Sequence, residues 1–235
     1  MTAPLRVGLL QCGHIHPDLV PVHGDYPEVF GDLLGPQGIE VVTYDVTEAL
    51  PHAVDQEDGW LVSGSACSAY DELPWIGPLE EFLLAVLDAA VPLVAVCFGH
   101  QVLAQALGVR VAKAEVGWGV GAHDYEVVGT PQPWMAPPRS ELRLIASHQD
   151  QVAELPPGAE LYLTSPFCPV AGFTVGPRAI TVQAHPEFTA EVSAGLVERR
   201  RDTIGSPTVD AALATLDRPL DNQLYGAWMA AFLRG

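Results

Sequence analysis

Val94-Ala95-Val96-Cys97-Phe98-Gly99-His100-Gln101 is a short apolar run that stops at a cysteine and continues, past a glycine, into residues with helical spacing. An apolar run without alternation marks a strand covered on both faces, so a buried strand running straight into a helix is expected here. A cysteine at such a joint is pushed out of the carboxyl edge of the sheet. There the free N–H groups and the positive dipole end of the helix stabilise a thiolate. The same N–H groups can hold the oxyanion of a tetrahedral intermediate, usually the largest single term in acyl-transfer catalysis. Cys97 can also be read as a small core residue, the common condition of a buried cysteine. A core cysteine, however, requires neither a tight-turn glycine two residues later nor a polar helix start directly beyond an apolar strand.

Similar runs lie upstream, at residues 5–11 (LRVGLLQ), 39–44, 59–62 and 92–96. Amphipathic stretches at helical spacing separate them, at 28–34, 79–90 and 101–107. Repeated βαβ order predicts an α/β protein with a doubly wound, mostly parallel sheet and helices on both faces. After Gly108 the texture changes. Short β-like segments at 122–128, 142–147, 160–164, 170–175 and 179–183 are punctuated by Gly and Pro, which predicts an antiparallel edge. From Thr189 the pattern is helical, interrupted at Pro207 and Pro219, with Leu213, Leu216, Leu224, Trp228 and Phe232 expected to pack on the body. The Pro-rich stretch 129–140 reads as a surface loop. With neither repeat nor linker, residues 1–235 are expected to form one domain.

A cysteine nucleophile needs a general base, and the base needs a group that orients it. Of the eight histidines, His185 stands out because Ala184-His185-Pro186-Glu187 follows the strand-like AITVQ. If Pro186 holds the backbone extended, residues 185 and 187 project to one side, and Glu187 can orient His185. Alone, His-Pro-Glu is equally a surface turn; beside the Cys97 joint it gains a role. Cys12 and Cys67 are expected near the same pocket but lack the strand–nucleophile–helix order, and Cys168 reads as a turn residue. His14, His16 and His23, with Asp18 and Asp25, lie in a Gly/Pro-rich loop whose spacing is a poor metal signature, so no metal site is expected. His100 is expected to be structural.

A net charge of −18 argues against nucleic acid and anionic membranes as partners. An acidic ligand would need local donors to overcome that field. Four scattered cysteines with no metal-ligand spacing fit a reduced, cytoplasmic protein. No segment approaches the roughly 18 apolar residues of a membrane span, and the opening residues read as a first strand rather than a leader.

Cys97-Phe98-Gly99-His100-Gln101 and His185-Pro186-Glu187 resemble the two signature motifs of the class I, triad-type glutamine amidotransferases, whose fold is flavodoxin-like. The resemblance extends through Leu61-Val62-Ser63-Gly64-Ser65, Tyr70-Asp71-Glu72-Leu73-Pro74-Trp75-Ile76, Gly117-Trp118-Gly119-Val120-Gly121 and Ser147-His148-Gln149-Asp150-Gln151-Val152. In these it is most similar to stand-alone GMP-synthetase-like amidotransferases and plant γ-glutamyl peptidases. It implies Cys97 as nucleophile, His185 as base and Glu187 as orienter, with no cofactor. Backbone N–H groups of Phe98 and of Gly64-Ser65 would form the oxyanion hole, and Gln101, Ser147, His148 and Gln149 would border the glutamyl group. Two positions depart from the common pattern: Gly64-Ser65-Ala66 replaces Gly-Gly-Pro, and Ala95 replaces a glycine. Backbone donors survive the first change, although the substrate's shape need not. The resemblance implies a hydrolase of small γ-glutamyl compounds. It also admits a glutaminase subunit serving a separate synthetase, or a non-catalytic binding relative; the missing ATP-binding module favours the hydrolase over the first, and the intact triad argues against the second.

Overall fold

The computed structural model describes residues 4–235; Met1–Ala3, which open the stretch read as leading into the first strand, lie outside the described residues. The first half alternates strand and helix: β1 (Leu5–Gln11), α1 (Val20–His23), α2 (Tyr26–Leu34), β2 (Ile39–Asp45), β3 (Gly59–Val62), α3 (Ile76–Asp88), β4 (Leu93–Val96) and α4 (Phe98–Ala106). The second half is strand-rich: β5 (Val111–Lys113), β6 (Gly119–Val127), β7 (Glu141–His148), β8 (Asp150–Val152), β9 (Glu160–Thr164), β10 (Gly172–Val175) and β11 (Ala179–Val182). Four helices follow, α5 (Ala190–Arg199), α6 (Arg201–Ile204), α7 (Ser206–Leu213) and α8 (Asn222–Arg234).

Nine strands form one sheet in the order β2-β1-β3-β4-β11-β10-β9-β6-β7. The first five are mutually parallel and the remaining pairings antiparallel; of the segments after Gly108 expected at an antiparallel edge, β6, β7, β9 and β10 fit, whereas 179–183 does not, because β11 lies in mid-sheet parallel to β4. Alternate residues of the parallel strands feed two cores. Leu9, Leu61, Val94 and Val96 face Phe30 and Leu33 of α2 and Trp228 and Met229 of α8. Leu10, Trp60, Val62 and Ala95 face Leu79 and Leu83 of α3 and Val102 and Leu103 of α4. Fully burying side chains of this size contributes about 1.5–3 kcal/mol each, which is why these strands carry no polar face.

Trp228 and Phe232 enter the α2 core and Leu216 and Leu224 pack against it, while Leu213 joins a smaller cluster with Val120 and Val209. Pro207 lies in the first turn of α7, where its missing N–H costs nothing, so it starts a helix rather than only ending one. α2 begins two residues before the predicted start. Asp25 caps it and Glu28 returns to the Asp25 N–H, a complete capping box. The two-stranded sheet of β5 and β8 has no counterpart in the sequence reading: three-residue strands carry too little periodicity to register.

Candidate active site

Three neighbouring parallel strands, β3, β4 and β11, stop at the same edge. Val62 is level with Ala95, and Val96 with Val182. Register alone therefore brings Ser63-Gly64, Cys97 and the residues after Val182 side by side at the carboxyl ends of the strands. Cys97 sits on the strand-to-helix joint with φ 53° and ψ −101°, a left-handed conformation that costs a non-glycine residue on the order of 1–3 kcal/mol. Three hydrogen bonds hold the joint, two of them on Cys97 itself. Cys97 N–H donates to Val182 O at 2.8 Å, Gln101 N–H to Cys97 O at 3.1 Å, and Gly99 N–H to Ser63 O at 3.2 Å. A β-carbon at Gly99 would lie 2.7 Å from Val62 Cβ and 2.9 Å from Val62 O, so the glycine permits the close approach of α4 to β3.

His185 and Glu187 meet beside the cysteine. His185 Nδ1 is 2.7 Å from Glu187 Oε1, and both side chains are buried. The backbone is not the extended segment expected from Pro186. His185 N–H donates to Ile145 O at 2.8 Å, forming a lone bridge to β7, and the chain then turns at Pro186-Glu187. The turn swings Glu187 back to the imidazole, achieving the same pairing by another route. Phe188 stacks on the His185 ring at 4.2 Å with planes 3° apart. Burial by itself would lower the His185 pKa, but the neighbouring Cys97 sulfur and Glu187 carboxyl group outweigh it and hold the imidazole well above its usual value.

The loop after β3 lies directly over this pair. A β-carbon on Gly64 would fall 2.8 Å from His185 Cε1 and 2.6 Å from the Tyr26 hydroxyl, so only glycine lets the loop backbone approach. Ser63 Oγ accepts from Cys12 N–H and donates to Gly64 O, fixing the loop from behind. Cys12 is buried and its thiol is pushed up by burial; Cys168 is likewise pushed up to about 12 and closes a turn with Ser165. Cys67, by contrast, lines the cavity in front of Cys97.

That cavity, of about 210 Å³, is bordered by Cys97, Gln101 and the 147–150 segment. Gln101 Nε2 donates to Asp150 O at 2.8 Å and to Gln183 Oε1 at 3.0 Å, which leaves its oxygen as the group free to meet a ligand. Gln183 Nε2 in turn points at Cys97 Sγ at 3.7 Å. Asp150 is held by Ser68 and Tyr70 at 2.6 and 3.1 Å, which joins two of the sequence motifs across the pocket. His148 is buried with Nε2 unpartnered among the described residues, and burial lowers its pKa to about 3. Its Nδ1 pairs with Asp150 O at 3.1 Å. His100 is fully buried on α4 against Thr181, a structural position as expected.

A second cavity of about 250 Å³ adjoins the first along Ser65, Ala66, Ser147 and Arg200, and has His185, Phe188 and Tyr26 in its wall. His14 and His16 line it too, whereas His23 does not. His14 is taken by Asp25, 2.6 Å away. Gln183, Tyr26 and Arg200 are therefore site residues that sequence reasoning did not single out. Gln183 carried a signal, a polar residue ending an otherwise apolar strand and wholly buried in the fold. Tyr26 and Arg200 carried none.

The family model for glutamine amidotransferase class-I matches residues 32–199. Among curated proteins, the chain is 29% identical to γ-glutamyl peptidase 4 of Arabidopsis thaliana over 75% of this chain and 73% of that one. It is 33% identical to a subunit of the glutamine-hydrolysing GMP synthase of Haloarcula marismortui, covering 72% of this chain and 84% of that one. Among solved structures, a glutamine amidotransferase of Thermotoga maritima superposes with a TM-score of 0.79 at 20% identity, covering 99% of this chain and 98% of that one. A family match that begins in α2 and runs past the His185 turn to the end of α5, on a fold shared along its length, means that the chain belongs to the class I glutamine amidotransferase family.

Proposed function

We propose that the protein hydrolyses γ-glutamyl amide bonds unaided, through a γ-glutamyl thioester on Cys97. The observation that carries this reading is the buried His185–Glu187 pair beside a cysteine held at a strand-to-helix joint. Cys97 Sγ attacks the γ-carbonyl carbon, and the resulting oxyanion is received by N–H groups of Phe98 and of Gly64-Ser65. His185 gives its proton to the departing nitrogen as the C–N bond breaks. Water then attacks the thioester, His185 takes a proton from it, and the C–S bond breaks to release glutamate and restore the thiolate–imidazolium pair. Glu187 keeps the imidazole in the orientation both steps need. Gln101 and Ser147-His148-Gln149, at the end of β7, border the glutamyl head.

The test is to incubate purified protein with glutamine, glutathione and γ-glutamyl amines in parallel with the Cys97→Ala variant. Release of glutamate without any partner is expected, falling by roughly 10³-fold or more in the variant. Activity surviving in Cys97→Ala overturns the mechanism. The similarity to a GMP synthase subunit supports a second reading, a glutaminase that serves a separate synthetase. It predicts glutamine consumption only once a synthetase is added. A protein whose Cys97 fails to react with a thiol-directed glutamine analogue would be a binding relative instead.

A further inference from the structure

The cavity beside His185 has a lining that bond cleavage does not call for. Arg199, Arg200, His14, His16 and His185 border it and no acidic side chain does, in a chain with 29 Asp and Glu against 11 Lys and Arg. Four of these bases already have a carboxylate: Arg199 Nη1 lies 2.5 Å from Asp18, His14 Nδ1 2.6 Å from Asp25, His185 Nδ1 2.7 Å from Glu187 and His16 Nδ1 3.9 Å from Asp18. Arg200 does not. Arg110, Arg139, Arg178, Arg200 and Arg234 have no carboxylate within 4 Å among the described residues, and of these Arg200 alone lines the two cavities at the site. Its Nη1 donates to Ser147 Oγ at 3.3 Å, and its guanidinium lies 5.7 Å from the Trp118 ring centroid. A half-buried arginine laid over an aromatic ring, without an anion in so acidic a molecule, is prepared for an anion supplied by a ligand.

Arg200 borders both cavities, so the direction of the substrate decides which end it meets. The departing nitrogen must come within reach of His185, and His185 lines this cavity and not the one in front of Cys97. The leaving group therefore extends past Tyr26 and Phe188 towards Arg200. At about 250 Å³ the space far exceeds the needs of ammonia; a water-sized molecule takes about 30 Å³.

We propose that this cavity is the leaving-group subsite, and that Arg200 selects γ-glutamyl amides whose departing amine bears a carboxylate, namely an amino acid or short peptide, over those that release ammonia or a neutral amine. The inference rests on the hydrolase reading above.

γ-Glutamylalanine and γ-glutamylalaninamide differ only in that carboxylate, and kcat/KM for the two isolates its effect. The wild-type protein should favour the acid by roughly tenfold or more, the usual scale for one charge-assisted contact. In Arg200→Gln the ratio should fall towards one, and Arg200→Lys should restore part of it. Equal turnover of both substrates by the wild-type protein overturns the inference alone. An equal loss on both in Arg200→Gln also overturns it, because Arg200 would then hold the shared glutamyl group. Hydrolysis of neither, with glutamine consumed only beside a synthetase, overturns this inference and the hydrolase reading together. Should the variants fail to fold, the wild-type ratio at low and high salt remains decisive: a charge contact weakens with salt, and a salt-independent preference counts against it.

Discussion

Glu187 has one partner and nowhere else to discharge. Its Oε1 faces His185 Nδ1, while its buried Oε2 has no hydrogen-bond partner among the described residues. A carboxylate so placed is tolerable chiefly because an imidazolium lies beside it. In Glu187→Gln the shape survives and a charge that raises the His185 pKa is removed. The imidazolium should then deprotonate at lower pH, moving the alkaline limb of the kcat/KM profile downward, with a rate loss of roughly 10²-fold or more. An unmoved limb would mean that Glu187 does not act through His185. The motif residues Cys97, His185 and Glu187 could be singled out in the sequence because each stands at a strand end beside recognisable turn chemistry. Tyr26 could not. Its hydroxyl reaches the Gly64 backbone beside His185 from the first turn of a helix far off in sequence, and its own neighbours read simply as a helix start.

At the scale of elements, the site depends on how closely α4 approaches β3. The Gly99 N–H bond to Ser63 O ties the first turn of α4 to the loop that carries Gly64, and both sides of the proposed oxyanion site thereby share one anchor. Gly99→Ala places a methyl 2.7 Å from Val62 Cβ, within a core that has no slack around Val62 and Phe98. Overpacking of this kind costs about 1–3 kcal/mol. The variant should unfold at lower urea concentration and also label more slowly with a thiol-directed glutamine analogue, because relief of the clash lifts α4 and Cys97 together. Normal labelling in a destabilised variant would separate the anchor from the nucleophile. The sequence marks Gly99 only as room for a tight turn; in the structure the turn strain falls on Cys97, and what Gly99 makes room for is Val62 of β3. The parallel strands could be read directly: only burial on both faces produces uninterrupted runs such as LVAV. The pairing of β7 with His185 was beyond sequence reasoning. It requires the strand at the far end of the sheet order to return against His185, three residues beyond β11, and no local pattern encodes that curl.

Across the whole molecule, the folded state holds several histidines where they cannot easily accept a proton. His100 lies wholly buried between α4 and β11, its Nδ1 against Thr181 Oγ1 at 2.8 Å and its Nε2 unpartnered among the described residues. Burial lowers its pKa to about 3, and burial lowers that of His148 to about 3 as well. His123 is shifted in the same direction. In the unfolded chain these groups titrate near 6.5. Between the two values the unfolded state binds protons that the native state refuses, so stability rises with pH across this window. The contribution of His100 and His148 is complete above about pH 6.5 and lost progressively as pH falls towards 3, at up to about 1.4 kcal/mol per pH unit for each. Urea unfolding at stepwise lower pH should therefore show a falling midpoint well before the carboxylates protonate. His100→Gln cannot take up a proton in either state and should flatten that slope, even though losing the Thr181 contact lowers stability at neutral pH. A variant with the wild-type slope would place the acid sensitivity elsewhere than in His100.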